Sequence, residues 1–111
     1  MVPVTNVLLR NLNATGQNVT AGENHILKFY AINVSGSAAF VQLFDLAAGS
    51  VTLGTTIPLI SMPVAATAGS AELPFDFPGL HFQIRCSAFA TTTADGSTGS
   101  ASGVFLQAFC A

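Results

Sequence analysis

Turn-forming residues interrupt this sequence about every 10 to 15 positions, and the apolar runs between them carry no helical period. Phe, Val, Ile and Thr recur in short runs bounded by Gly, Ser, Asn and Pro, the composition of β-strands and their turns. A chain of 111 residues is long enough for one core and too short for two. The pattern predicts a single all-β domain over 1–111: an antiparallel β-sandwich, jelly-roll or Ig-like in wiring, of about seven strands.

The first strand is read at 4–12 (VTNVLLRNL) and ends in a turn at Asn13-Ala14-Thr15-Gly16. A second, at 26–34 (ILKFYAINV), leads through Ser35-Gly36-Ser37 into 39–46 (AFVQLFDL), which predicts a hairpin. After a small-residue loop at 47–54, the run 56–64 (TIPLISMPV) holds Pro58 and Pro63. Proline cannot donate to a ladder, so this strand belongs at a sheet edge or breaks at a bulge. A short strand follows at 71–75, and Pro78-Gly79 turns the chain into 80–92 (LHFQIRCSAFATT). The segment 93–102 (TADGSTGSAS) is low in complexity and reads as a flexible loop, about 92–103, before a last strand at 103–110. A short N-terminal arm, about 1–5, precedes the first strand.

Alternation along 80–92 puts Leu80, Phe82, Ile84, Cys86 and Ala88 on one face and His81, Gln83, Arg85 and Ser87 on the other. The strand at 26–34 is apolar on both faces, which places it centrally under the opposite sheet or another subunit. If 80–92 and 103–110 form a hairpin centred near Thr98, Cys86 faces Cys110. Two buried free thiols are the alternative, and the one expected of a cytosolic product.

Only 7% of the residues are charged while 50% are hydrophobic. An ordinary domain carries about 25% charged residues. Folding at this length buries roughly 65% of the unfolded chain's surface, so the apolar excess predicts burial against copies of itself or a larger partner. Three Lys and Arg residues make no basic stripe, so no nucleic-acid binding is expected. The richest apolar stretch, 59–68, is short and broken by Pro63, far below the ~20 residues that span a bilayer, so no membrane partner is expected either. Met1-Val2-Pro3-Val4-Thr5-Asn6 lacks the basic and apolar regions of a signal peptide, which predicts cytosolic production.

No catalytic, cofactor-binding or metal-ligating set emerges. His25 and His81 fall in separate strands, with Glu23 and Glu72 the nearest acids, and nothing in the sequence brings them together. No G-x-S-x-G elbow precedes a helix. Glu72 and Asp76 flank Leu73-Pro74-Phe75 and read as a solvated edge rather than an acid–base pair. The sequons at Asn13, Asn18 and Asn33 are taken as chance. No enzyme is predicted, and no cofactor.

The runs Leu27-Lys28-Phe29-Tyr30-Ala31-Ile32-Asn33-Val34-Ser35 and Phe40-Val41-Gln42-Leu43-Phe44-Asp45 stand ahead of Gly54-Thr55-Thr56-Ile57-Pro58. Met62-Pro63-Val64, Leu73-Pro74-Phe75, Gly79-Leu80-His81-Phe82 and the segment 91–103 follow. This order of turns and apolar positions, over roughly 25–110, resembles small β-sandwich virion structural proteins of tailed bacteriophages. The resemblance implies a capsid decoration or cement protein on the virion's capsid surface, made in the host cytoplasm. Its implied partners are the major capsid protein, whose subunits it would bridge, and itself, since threefold lattice positions would suit a trimer. The alternative is a tail, neck or fibre component, including one that binds host-surface glycans. The absence of Trp and the single Tyr, Tyr30, weigh against a stacking glycan site.

Overall fold

Asp45 decides where the chain changes sheet. The computed structural model describes residues 5–76, 79–94 and 99–110. Within them the chain forms β1 (Thr5–Leu12), β2 (Gln17–Asn18), β3 (Asn24–Asn33), β4 (Ala39–Asp45), β5 (Ile60–Val64), β6 (Gly69–Pro74), β7 (Leu80–Phe82), β8 (Cys86–Thr91) and β9 (Val104–Cys110), with one 3-10 turn at Ala48–Ser50. The pairs are antiparallel and fall into two sheets. Sheet A runs β1-β9-β3-β6 with β7 also on β3, and sheet B runs β2-β8-β4-β5. Strands β6 and β7 share one edge of β3, so they act as a single interrupted strand. Counted so, β1 pairs the last strand and β2 the one before it, the wiring of a jelly roll rather than of an Ig domain.

The core lies between the sheets. Phe29, Phe82, Leu12, Ile26, Leu43 and Leu106 are its largest fully buried side chains, and Phe29 meets Phe75 and Phe82 edge-on at centroid distances of 6.2 and 6.4 Å. On β3 both Ile26 and Phe29 are buried, a spacing that strict alternation forbids. A register shift against β9 between Ile26 and Lys28 absorbs the extra residue.

Strand β3 is central, as its two apolar faces predict. Strand β5, shorter than the predicted 56–64 and without Pro58, is a sheet edge, as its Pro63 requires, with that proline exposed. The predicted count of about seven strands becomes nine, because the two-residue β2 gave no apolar signal and the run 80–92 is two strands. Here the expected alternation fails. Ile84 is 58% exposed, and all six residues of β8 are buried. The break comes at 83–85, where Asp45 accepts three backbone N–H bonds: Gln83 to Oδ2 at 3.1 Å, Ile84 and Arg85 to Oδ1 at 2.8 and 3.2 Å. These groups leave the sheet A ladder before joining sheet B, and the carboxylate satisfies them during the crossing.

The predicted hairpin at 35–37 is also corrected. Strands β3 and β4 lie in different sheets, so 35–38 is an arch over the edge of the core. The buried Asn33 amide fixes it, donating to Ser37 O at 2.8 Å and Val64 O at 3.3 Å. Asn33 Oδ1 accepts from Ser35 N at 3.0 Å and Ser35 Oγ at 2.7 Å. The apolar faces of β3 and β4 thus oppose each other across the core instead of lying side by side.

The hairpin expected to set Cys86 against Cys110 is absent for the same reason, since β8 and β9 belong to different sheets. Cys86 pairs with Asp45 on the ladder, and Cys110 with Thr5 and Ile26. Both thiols are buried and free. Of the loop read at 92–103, residues 95–98 lie outside the described residues, as do Pro78 and most of the N-terminal arm. The loop's two ends are tied together by Thr92 N to Gly99 O at 3.4 Å and Ala101 N to Ala90 O at 3.2 Å.

Burial alone would raise the Asp45 pKa, but the N–H groups of Ile84, Arg85 and Gln83, helped by His81, hold it below the ordinary 3.8. The stability this adds is present above that ordinary value and is lost as the pH falls through the lower, folded one. Replacing Asp45 by Asn is expected to cost about 1 kcal/mol, allowing for solvent at this corner, or about 4 °C in Tm. Thermal denaturation near neutral pH and again near pH 2 checks this. The deficit should shrink in acid as the wild-type carboxylate takes up its proton; an unchanged deficit would mean that the charge is not its source.

Candidate interaction face

The two sheets treat their outer faces differently. On sheet B, Ser87, Phe89 and Thr91 of β8 and Gln42 and Phe44 of β4 point away from the core, yet all are buried. Phe44 and Phe89 pack edge-on at 5.4 Å. Gly16, at φ +79, lies against the Phe89 ring so closely that a Cβ would collide with it. The Gln42 amide donates to Ala94 O at 2.9 Å and Thr93 O at 3.4 Å, and Ser61 Oγ donates to Ala94 O at 2.8 Å. Ala48 N, at the 3-10 turn, donates to Asn18 Oδ1 at 2.8 Å. The chain's own loops cover this face.

Among the described residues no hydrogen bond carries a loop over the outer face of sheet A. The ladder register sets its outward residues in rows. Asn6, Phe109, Lys28 and Pro74 form one row; Leu8, Gln107, Tyr30 and Glu72 form the next. Phe105, Ile32 and Ser70 continue the pattern, with Arg10 on the β1 edge. Phe105, Phe109, Tyr30 and Ile32 are only half-buried, and Leu8 and Val34 are 50% and 57% exposed. Lys28 crosses the face to Glu72 at 2.7 Å and lies 5.9 Å from the Phe109 centroid. Glu72, read from sequence as part of a solvated edge with Asp76, is exposed and ion-paired. This aromatic and aliphatic face, rimmed by charge, is the candidate interaction surface.

The structure brings together two residues the sequence kept apart. His25 and His81 are ladder partners on β3 and β7, and their rings stack at 4.5 Å. His81 Nε2 meets Glu23 Oε2 at 2.6 Å. Alternation from the buried Ile26 and Phe82 puts both imidazoles on the outer side of sheet A. Three further exposed apolar side chains stand to either side of the point where β4 finishes. Ile57 is 87% exposed and Leu59 51%, with Leu59 N held by Leu43 O at 2.8 Å; Ile84 stands in the corner held by Asp45.

Catalytic means are sparse among the described residues. No group of three or more His, Cys, Asp and Glu is placed to hold a metal ion. Burial pushes both thiols up, Cys86 further through Cys110 and Asp45, so neither is a ready nucleophile. A cavity of about 230 Å³ at the arch is lined by Ser35, Ser37, Thr92 and Ser100, among other small residues, and carries no titratable side chain. The sequons serve the fold: Asn33 is buried, Asn18 holds the 3-10 turn, and Asn13 Oδ1 accepts from Thr15 N at 2.8 Å. No helix in the described residues is long and apolar enough to cross a membrane. Comparison with known proteins found no match: no family model, no curated protein and no solved structure matches this chain.

Outward and inward aromatics should answer differently to truncation. Phe29→Ala is expected to cost about 3–5 kcal/mol through lost burial and a core cavity. Phe105→Ser on the outer face should stay within about 1 kcal/mol of wild type. Denaturant titration of the two variants measures both, and comparable losses would show that Phe105 serves the core.

Proposed function

We propose that this chain is a non-enzymatic virion structural protein of the kind found in tailed bacteriophages, acting as a capsid decoration or cement protein that bridges major capsid subunits. The observation that carries the reading is the asymmetry of the two outer faces. The chain covers sheet B with its own loops and leaves the aromatic face of sheet A open. A chain with 7% charged residues has little else to keep such a face in water, so a neighbouring subunit is its natural cover.

Bridging needs two separate contact surfaces, and the molecule offers two. One is the sheet A face; the other is the exposed pair Ile57 and Leu59 just ahead of β5. Contacts of this kind exclude water without the cost of burying ions. Repeated by symmetry over a shell, individually modest contacts add up through avidity. The jelly roll itself is compatible with the role but does not select it, because the fold also serves lectins and cupins.

The test is co-sedimentation of the purified protein with intact virions, empty shells and separated tails of the phage carrying this gene, followed by heating. Stoichiometric binding to shells with a raised disruption temperature is expected. Ile57→Asp, at a position too exposed to affect folding, should weaken shell binding by about tenfold or more. Recovery with tails or necks alone would replace this reading by the tail-component one, and binding to no particle would remove both.

A further inference from the structure

We infer that the outer face of sheet A is the contact of a two-fold dimer, packing against the same face of a second copy. The inference shares with the proposed function the reading of this face as an assembly contact, and it does not depend on a capsid.

The charge layout of the face is what points to a copy of itself. The β1 edge carries Arg10, which has no carboxylate partner among the described residues. The opposite edge, β6, carries Glu72, exposed and ion-paired to Lys28 of its own chain. Between the edges, β9 and β3 present Phe105, Phe109, Tyr30 and Ile32. An isologous contact must place each patch on its own image. A two-fold axis along the strands, between β9 and β3, lays each β1 over the β6 edge of the other copy and each β9 over the other β3. Leu8 of one copy then lies over Glu72 of the other, and Arg10 falls over Ser70, one row along the strand and within diagonal reach of that carboxylate.

The interior of the face matches itself about the same axis. Phe105 of one copy comes over Ile32 of the other, and Phe109 over Lys28, repeating between copies the cation–ring contact already present within one. At the centre, Tyr30 stands opposite Gln107, a hydroxyl and an amide able to hydrogen-bond where the interface is driest. An axis across the strands gives none of this. It would set the two β1 edges together, with Arg10 away from any carboxylate.

Size sets the strength. Four strands at about 4.8 Å and seven residues at about 3.4 Å give a face of roughly 19 by 24 Å. That is near 450 Å² of footprint per copy, at the low end of specific interfaces. Two sheets packed face to face at about 10 Å, strands within about 30°, suit it. The expected species is an exchanging monomer–dimer pair rather than an obligate dimer.

Sedimentation equilibrium of the full chain, from low micromolar to a few hundred micromolar, reads this directly without any capsid. The expected result is a reversible monomer–dimer equilibrium that weakens with added salt. Phe105→Glu and, at the more exposed edge, Leu8→Glu should each raise the dissociation constant about tenfold or more, with circular dichroism unchanged. Arg10→Ala should remove most of the salt dependence. A monomer throughout, a trimer, or a dimer indifferent to both Glu variants would overturn the inference. Each of those results would leave the shell-binding test standing on its own outcome.

Discussion

The jelly-roll wiring sends most strands to the sheet opposite their predecessor, and every such crossing strips backbone groups of their ladder partners. The structure depends on how those groups are satisfied. Asp45 does so at 83–85, taking three N–H groups on one carboxylate at the end of β4. Asn33 does so at 35–38, where a buried amide binds both the arch and the end of β5. Each polar side chain sits at a strand end, where one residue can reach both sheets. An unpaired buried amide costs about as much as a hydrogen bond contributes, so these two residues fix the turns that let the apolar faces close on each other.

Closing the sandwich this way also determines which surfaces remain. Because β4 and β8 sit centrally in sheet B, the loops at 46–56 and 92–94 fall near their outer face, and Gln42, Phe44 and Phe89 are buried beneath chain rather than solvent. Sheet A is built from β1, β9, β3 and β6, and among the described residues its outer rows keep their aromatics partly exposed. The low charge of the chain and the open face are thus two views of one property: apolar surface not consumed by the chain's own fold.

Strand existence and edge position were largely legible, because they follow from local chemistry. Pro63 confines β5 to an edge, the two-sided apolar run of β3 marks a central strand, and Gly16 and Gly79 take the positive φ their turns need. Strand partners were not legible. The Ser35-Gly36-Ser37 signal is the same for a hairpin and for an arch, and the choice rests on where Asn33 finds acceptors, one of them Val64, far along the chain. The unbroken alternation of 80–92 hides a change of sheet whose cause, Asp45, lies in another strand. The stacked pair of His25 and His81 was invisible for the same reason: ladder register is a property of two strands, not of either.

The candidate face shows where the division falls. By itself the sequence determined an all-β chain rich in apolar residues and poor in charge, because composition and local periodicity are carried by each segment alone. Only the tertiary structure decided which of those apolar residues stay outside. Phe105 and Leu106 are neighbours in sequence and equal in hydrophobicity, yet one faces the core and the other the open surface. That assignment depends on strand order and on which sheet the loops happen to cover, and both are set by hydrogen bonds between residues distant in the chain.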